Sequence, residues 1–243
     1  MTIYIGTDPE VFLKDKKTGL FVSAHGMFPG DKQHPVPLGN YGMMQVDGHA
    51  LEFNTNPAAT EDEFVMFVSE TFKLLKEEVK KVDEDLEIAL EPVAHFDETY
   101  FGSLPELSKV LGCDPDYSSL TGKVLNAPAL QDVPIRTSSG HIHIGWTQYD
   151  DAFDDAEFAK RLEVASRLTP HLLEVSKKWE DDRSIERRKY YGKEGAFRPK
   201  HYGVELRTLD CLWLTDEWRM REVYRAAHNG FLKEFGHVYA EAA

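Results

Sequence analysis

Cysteine is scarce in this sequence. The chain has only two, Cys113 and Cys211, which are too few for a disulfide framework and have no partner at metal-ligand spacing. Neither a disulfide scaffold nor a thiolate metal site is therefore expected, and a reducing cytoplasm is the simplest location for the chain.

Positive charge is scarce as well. The 28 lysines and arginines face 42 aspartates and glutamates, which gives a formal net charge of −14. A negative field of this size repels polyanions, so we expect no nucleic-acid partner and no anionic membrane surface. A local cationic pocket remains compatible with this composition.

Long apolar runs and the common nucleotide-loop motifs are missing too. No apolar run approaches the roughly 20 residues of a membrane span, and residues 1–6 are too short and uncharged for a signal peptide. There is no Gly-x-x-x-x-Gly-Lys-Ser/Thr loop and no Gly-x-Gly-x-x-Gly after a strand, so P-loop and dinucleotide-binding folds have no support. Gly-x-Ser-x-Gly is also absent.

Hydrophobic periodicity predicts an α+β chain. Strand-like segments are separated by turn residues, and the first of them is a hairpin interrupted at Pro9. The predicted strand segments are 2–24, 43–54, 86–96, 135–146 and 203–209. No composition break marks a linker, so one domain over residues 1–243 is the economical interpretation.

Three amphipathic helices are predicted between these strands. The first follows a capping box at Thr60, the second covers 158–179 with a bend or break at Pro170, and the third covers 216–235 with Thr215 as its cap. Two stretches are predicted as loops, a Gly- and Pro-rich one at 26–42 and a basic, tyrosine-rich one at 181–202.

Polar residues two apart in strand-like segments share one face of a sheet, and three such pairs stand out. They are Asp8 with Glu10, His141 with His143, and Glu205 with Arg207. Each pair by itself is also compatible with a half-exposed strand, and Glu205 with Arg207 is compatible with a surface ion pair. Together with Glu52 in a fourth strand-like segment, they predict one polar sheet face, which is costly unless it is hydrated or metal-bound.

Oxygen-rich ligation with one or two imidazoles favours Mg²⁺ or Mn²⁺, whereas three histidines or added thiolates would favour Zn²⁺. Magnesium often accompanies phosphate, and the basic loop offers a matching cluster of cations, although a solvated loop without a role is also compatible with it. Guanidinium groups suit phosphoryl oxygens because their planar fork stays protonated. The cations are Arg183, Arg187, Arg188, Lys189, Lys193, Arg198 and Lys200.

Four segments together are more specific than any one pair. They are GTDPE at 6–10, LEFN at 51–54, GHIHIG at 140–145 and YGVELRT at 202–208. In this order they resemble the signature segments of the phage-type carboxylate-amine ligases, the type-2 amidoligases of the glutamine-synthetase-like superfamily. The resemblance spans nearly the whole chain and extends, more distantly, to glutamate-cysteine ligases and glutamine synthetase.

The resemblance implies a curved, mainly antiparallel sheet of the glutamine synthetase and guanido kinase type, with helices on one face. Its concave face would hold two or three divalent ions, the phosphates of ATP and an acceptor carboxylate. Glu10 and Glu52 match the ligands of one metal, with either Gln45 or Asp47 completing its site. The second metal and the phosphates are matched by a larger set: Asp8, His141 and Glu205 as metal ligands, His143 as a ligand or a supporting residue, Arg207 on the phosphates, and Arg183, Arg187, Arg188, Lys193 and Arg198 as further phosphate-binding residues.

The implied reaction is ATP-dependent formation of an amide or peptide-like bond through an acyl phosphate, with Mg²⁺ or Mn²⁺ as cofactor. Its partners would be a small-molecule or peptide carboxylate and an amine, in the host cytoplasm if a phage encodes the chain. Lys32, His34 and the segment 112–117 are candidates for acceptor recognition on position alone, and ordinary loop structure is the favoured interpretation of each.

Three other functions are compatible with the same residues. A metal-dependent hydrolase would use the two histidines with Asp8 and Glu10 to activate water. A binding protein on the ligase scaffold would hold a carboxylate or peptide with the 26–42 loop and not turn it over. A kinase would stop at phosphoryl transfer.

Overall fold

The computed structural model describes residues 2–109, 115–126, 130 and 132–240. Within these residues the chain is α+β, as predicted. The strands are β1 (Tyr4–Thr7), β2 (Glu10–Asp15), β3 (Phe21–Val22), β4 (Val36–Leu38), β5 (Gly42–Asp47), β6 (Ala50–Thr55), β7 (Leu86–Ala89), β8 (Val93–His95), β9 (Asp116–Ser118), β10 (Val124–Leu125), β11 (Ile135–Thr137), β12 (Ile142–Gly145), β13 (Ala196–Lys200) and β14 (Gly203–Leu206). The helices are α1 (Glu61–Val82), α2 (Glu98–Ser103), α3 (Glu106–Lys109), α4 (Asp155–Ser176), α5 (Asp182–Tyr190) and α6 (Glu217–Ala240), and a 3-10 helix (Cys211–Thr215) precedes α6.

The sheets are built from antiparallel pairings. One six-stranded sheet has the order β1-β12-β14-β13-β9-β10, and a second has the order β3-β2-β6-β5-β4 with β7 also on β2. A short pair, β8 with β11, stands apart. The prediction of mainly antiparallel sheets is confirmed, and one of the sheets curls into a half-barrel.

Pro9 marks the point where the chain leaves one sheet and enters the other. Because it has no amide hydrogen it cannot donate to a ladder, but its carbonyl accepts a hydrogen bond from the Phe53 amide at 3.1 Å. After Pro9 the predicted hairpin is confirmed, because β2 pairs with β3 through Leu13 and Val22. The break puts Asp8 beside the end of β1 and Glu10 at the start of β2.

The apolar core lies on one side of the sheets, against α1, α4 and α6. Alternation along β12 buries Ile142 and Ile144 completely in this core and turns the residue between them to the other side. The capping box of α1 is confirmed, since the Thr60 side chain accepts from the Glu63 amide. Helix α4 stays continuous through Pro170 and is not divided there.

The prediction of a loop over 181–202 is wrong. Helix α5 and strand β13 occupy most of this stretch, because the Asp181 side chain accepts from the amides of Arg183 and Ser184 and so caps a helix start. The high density of charge in α5 hides its periodicity in the sequence. The loop predicted over 26–42 likewise contains a strand, β4, paired with β5.

Several predicted strand bounds also need correction. The segment 43–54 is a hairpin, β5 and β6, which turns at Gly48 with φ 57°. The segments 86–96 and 135–146 each contain two strands that belong to different sheets. Thr215 does not cap α6, since its hydroxyl donates to the Leu212 carbonyl.

The approach of the chain to β12 depends on a glycine without a side chain. Gly140 is buried, its carbonyl accepts from the Trp213 indole at 3.2 Å, and a Cβ there would overlap both that indole nitrogen and the Asp210 carbonyl. We expect Gly140→Ala to lower the free energy of unfolding by about 1–3 kcal/mol, the usual cost of overpacking a core. Urea unfolding monitored by circular dichroism measures this.

Gly102→Ala is the matched control, because a Cβ at Gly102 meets no atom within 4 Å and the residue lies in α2. Alanine should be neutral or slightly stabilising there. Equal urea midpoints for both variants would contradict the packing argument at Gly140.

None of the described helices has the length and apolar character that a membrane crossing requires.

Candidate functional site

The sheet face opposite the core gathers the polar side chains that the sequence predicted would meet. Six of them form two clusters in which one potential ligand atom per residue lies within 4.8 Å of the others. We call Asp8, His143 and Glu205 the first group, and Glu10, Asp47 and Glu52 the second group. The register explains this proximity, since His143 lies directly opposite Glu205 and Glu10 directly opposite Glu52.

The first group is a network of short polar contacts. His143 Nε2 lies 2.8 Å from Asp8 Oδ1, and Glu205, which is only 1% exposed, has its Oε2 atom 2.7 Å from Lys200 Nζ. Burial opposes ionisation of Asp8, but the interactions of its carboxylate with His143 and His141 outweigh this and hold the pKa of Asp8 well below its usual value. Burial, followed by the charge of Asp8, raises the pKa of Glu205.

His141 lies beside the first group and is 3% exposed. Its Nδ1 atom is 3.2 Å from Asp8 Oδ1 and 3.4 Å from Glu205 Oε1, and its Nε2 atom is 3.2 Å from the Tyr191 hydroxyl. Burial and the charge of Arg207 lower the pKa of His141, so its imidazole is neutral at pH 7. Both predicted histidines therefore reach the site, and His143 is the one whose atom completes the first group.

In the second group, register and side-chain reach distinguish the two residues that the sequence left open. Gln45 and Asp47 share a face of β5, and Gln45 lies directly opposite Glu52. Asp47 is the one whose carboxylate joins Glu10 and Glu52, whereas Gln45 is a neighbour that hydrogen-bonds the Glu52 side chain.

The carboxylates of the second group repel one another at a site where Glu10 and Glu52 are half-buried and Asp47 is exposed. Burial and then the charge of Asp47 raise the pKa of Glu10 to about 8. Burial and then the charges of Asp8 and Glu10 raise the pKa of Glu52 well above its usual value. A bound cation would remove this repulsion, because it favours the charged form of each ligand.

The donor sets fit hard divalent cations. Each group is dominated by carboxylate oxygen, and only the first contains an imidazole. This composition suits Mg²⁺ or Mn²⁺ better than Zn²⁺. Both groups on the described part of the chain therefore fit a divalent ion by chemistry as well as by spacing.

Two predicted arginines lie against the first group. Arg207 is 5% exposed, contacts Glu205 Oε1 through NH1, and lies 2.9 Å from Asp116 Oδ1 through Nε. Arg198 Nε is also 2.9 Å from Asp116 Oδ1. The Tyr191 ring lies 5.2 Å from the Arg207 guanidinium and supports it by a cation–π contact.

The other predicted phosphate-binding residues lie in different contacts. Arg187 is buried and donates hydrogen bonds to the carbonyls of Ser138 and Thr208, so it links two backbone segments. Arg188 forms two hydrogen bonds of 2.8 Å with Glu180. The two remaining residues are Arg183, paired with Asp181 and Glu91, and Lys193, which is exposed.

A cavity of about 710 Å³ opens beside the first group, and fifteen residues from the strand ends line it. None of the fifteen is lysine or arginine, and the lining includes Asp8, Glu52 and His143 together with the aromatic rings of Tyr4, Trp146 and Tyr202. The Tyr202 hydroxyl lies in hydrogen-bond contact with His143 Nδ1. A volume of this size accommodates a drug-sized or nucleoside-sized ligand next to the potential cation sites.

Glycine leaves part of the cavity floor open. Gly6 and Gly145 line the cavity, and a Cβ at either would meet only ordinary contacts of 3.7 Å or more. Neither has the positive φ that would by itself require glycine. Packing and backbone conformation therefore leave these two glycines unexplained, and close approach of a ligand would account for them.

The sequence predicts no contact for Asp116, and it places Lys200 only among the cations of the basic stretch. Asp116 was singled out only as part of the segment 112–117, of which 112–114 lie outside the described residues, as does Cys113. Asp116 begins the short strand β9. The pairing of β9 with β13, which brings Asp116 to the site, could not be predicted from the sequence. Lys32 and His34 lie in the 26–42 stretch, where His34 contacts Asp31 at 3.3 Å.

Comparison of the chain with models of known protein families found no match, and a search of curated proteins also found none.

Proposed function

We propose that the chain is an ATP-dependent carboxylate-amine ligase of the type-2 amidoligase kind, on a glutamine-synthetase-like half-barrel. The observation that carries the proposal is the pair of carboxylate-rich groups on one sheet face, with Arg198 and Arg207 directly against the first of them. Few reactions other than phosphoryl transfer need adjacent divalent-cation sites and guanidinium groups at one point.

In this proposal ATP lies across the first group. Its nucleoside fills the cavity beside Asp8 and His143, which has aromatic walls and no lysine or arginine in its lining. Its phosphates lie next to the first group and the adjoining cations Lys200, Arg198 and Arg207. The acceptor carboxylate then lies near the second group, at the other end of the transferring phosphoryl.

Asp8, His143 and Glu205 would hold one divalent ion, and Glu10, Asp47 and Glu52 a second. Such ions supply neutralisation of the charge on the phosphoryl oxygens and of the acceptor carboxylate. The chain's own contribution is orientation and charge, because Arg207 and Arg198 would donate hydrogen bonds to oxygens that gain negative charge as the phosphoryl moves.

Once phosphorylated, the carboxylate carries a good leaving group. The amine attacks the acyl carbon, the bond between that carbon and the bridging oxygen breaks, phosphate departs with that electron pair, and the amine nitrogen releases a proton to solvent. The sum is one amide, ADP and phosphate from one carboxylate, one amine and ATP.

The test is thermal unfolding of metal-stripped protein with ATP, with Mg²⁺ and with both. A ligand at 100 times its dissociation constant stabilises the native state by about 2.7 kcal/mol, which raises the Tm of a chain of this size by about 5–11 °C. We expect ATP and Mg²⁺ together to give this shift and ATP alone to give much less. Glu77→Gln, which removes an exposed charge on α1, should respond like the unmodified chain.

Two outcomes would contradict the proposal. One is the absence of any nucleotide effect while Zn²⁺ alone stabilises, which is the behaviour of the hydrolase. The other is stabilisation by ATP and Mg²⁺ with no amine-dependent ADP release from any carboxylate in a broad panel, which would leave a kinase or a binding protein.

A further inference from the structure

The proposed phosphate-binding arginines share one carboxylate that no part of the reaction above uses. Asp116 Oδ1 lies 2.9 Å from Arg198 Nε and 2.9 Å from Arg207 Nε. The Asp116 side chain is 12% exposed, and those of Arg198 and Arg207 are 16% and 6% exposed. A single oxygen atom therefore lies between two guanidinium groups in a place that water reaches poorly.

Strand pairing brings these three residues together. Strands β9 and β13 pair through Ser118 with Ala196 and Tyr117 with Phe197, so the same register carries Asp116 to Arg198. Arg207 follows β14 on the far side of β13, and its amide donates to the Ala196 carbonyl at 2.9 Å. The Arg207 side chain thus reaches across β13 to the same carboxylate.

The contacts also show where the guanidinium groups point. The Nε atom of each, the nitrogen nearest the chain, lies 2.9 Å from Asp116 Oδ1 as an ion pair without hydrogen-bond geometry. Arg207 NH1 contacts Glu205 Oε1, and Arg198 NH1 lies 3.9 Å from the same atom. Both terminal ends therefore aim at the first group, where the proposed function places the phosphates.

We propose that Asp116 is a positioning residue that aims Arg198 and Arg207 at the terminal phosphoryl group of ATP. The inference rests on the proposed function. Without the carboxylate the two like charges repel each other, and each long side chain regains rotamers that the ion pairs exclude. Asp116 touches neither substrate nor cation in this arrangement and acts only through the arginines.

The charge of Asp116 makes a discriminating test possible. Removing a negative charge next to the phosphates would by itself favour the more highly charged nucleotide. Loss of the orientation of the two guanidinium groups would instead weaken binding of the more highly charged nucleotide, because only a nucleotide with a γ-phosphoryl group contacts them. The two mechanisms therefore predict changes of opposite sign in the selectivity for a γ-phosphoryl group.

The measurement is isothermal titration of the full chain with Mg-ADP and with Mg-AMPPNP, a nonhydrolysable ATP analogue. The Kd for Mg-ADP divided by the Kd for Mg-AMPPNP reports the selectivity for the γ-phosphoryl group. In Asp116→Asn we expect this ratio to fall about tenfold, as when hydrogen bonds to charged groups are misaligned, while the Kd for Mg-ADP stays within about twofold. Glu77→Gln serves as the control for loss of one negative charge elsewhere.

Asp116→Glu separates position from charge, since it keeps the carboxylate but moves it by one methylene. It should lower the ratio as well, and it also serves if Asp116→Asn does not fold by circular dichroism. An unchanged or increased ratio in a folded variant overturns the inference, as does an unmodified chain that binds the two nucleotides equally. Absence of any nucleotide binding would instead overturn the proposed function, and this inference with it.

Discussion

The substitution Arg207→Lys is expected to slow ATP turnover by about a hundredfold to a thousandfold, the cost of losing one donor that stabilises a developing oxyanion. Lysine keeps the positive charge, so the carboxylates of buried Glu205 and half-buried Asp116 keep a cationic neighbour. It loses the planar fork that reaches two oxygens at once. The change therefore tests geometry at nearly constant charge.

Arg207→Ala would be a weaker test of mechanism. The Arg207 side chain is almost completely buried and bridges two carboxylates, so its removal leaves charge without a partner and destabilises the chain. A loss of turnover in that variant could then come from unfolding. With Arg207→Lys, the unfolding midpoint reports whether the native state survives.

ADP release is the measurement, with the carboxylate and amine that give the largest release in the unmodified chain. Arg188→Lys is the control, because both terminal nitrogens of Arg188 donate hydrogen bonds to Glu180. We expect its turnover to stay within about threefold of the unmodified chain, as for a surface ion pair. An unaltered rate in Arg207→Lys would remove Arg207 from the reaction.

Alternation along strands predicts which polar residues of the site share a sheet face. The parity of His141 and His143, and of Glu205 and Arg207, follows from the two-residue period, because the intervening Ile142 and Leu206 must face the core. No long-range information is needed for that step. The clustering of these strands needed the antiparallel order of the sheet, which the resemblance suggested and local pattern alone did not.

Contacts between distant segments could not be predicted in the same way. Asp116 contacts Arg207 only because β9, β13 and β14 are neighbours in one sheet. The composition of β9 does not predict this order of strands. The choice of Asp47 over Gln45 depends on the β5 register and the reach of a side chain. Arg187 and Arg188 look like phosphate ligands in a basic stretch, yet the helix they belong to turns them to Thr208 and Glu180.

The second large effect concerns the stability of the chain without metal. At pH 8 and in the presence of a chelator, we expect Glu10→Gln to be more stable than the unmodified chain by about 2 kcal/mol or more, since one pKa unit corresponds to about 1.4 kcal/mol. The reason is that burial and the charge of Asp47 raise the pKa of Glu10 to about 8. Glutamine has the same shape and carries no charge to repel its neighbours.

The pH dependence fixes the sign of this effect. The pKa of Glu10 in the folded chain, about 8, lies above its ordinary value of 4.5, so the folded state keeps a proton that the unfolded state releases between these limits. The contribution of protonated Glu10 to the stability of the folded chain is fully present below pH 4.5 and is lost as the pH rises toward 8. The advantage of Glu10→Gln should therefore be small at pH 5 and grow toward pH 8.

Divalent cation should reverse the order of stability. With saturating Mg²⁺ or Mn²⁺ the unmodified chain has all three carboxylates of the second group available, whereas Glu10→Gln has lost one charged ligand. We expect the unmodified chain to gain more stability from the ion and to become the more stable of the two. Urea unfolding at pH 5 and pH 8, with chelator and with cation, measures all four cases, and Glu77→Gln should follow the unmodified chain throughout. If Glu10→Gln were instead less stable than the unmodified chain in chelator at pH 8, attraction from Arg207 would outweigh repulsion within the second group, and that group would hold its charges without a metal ion.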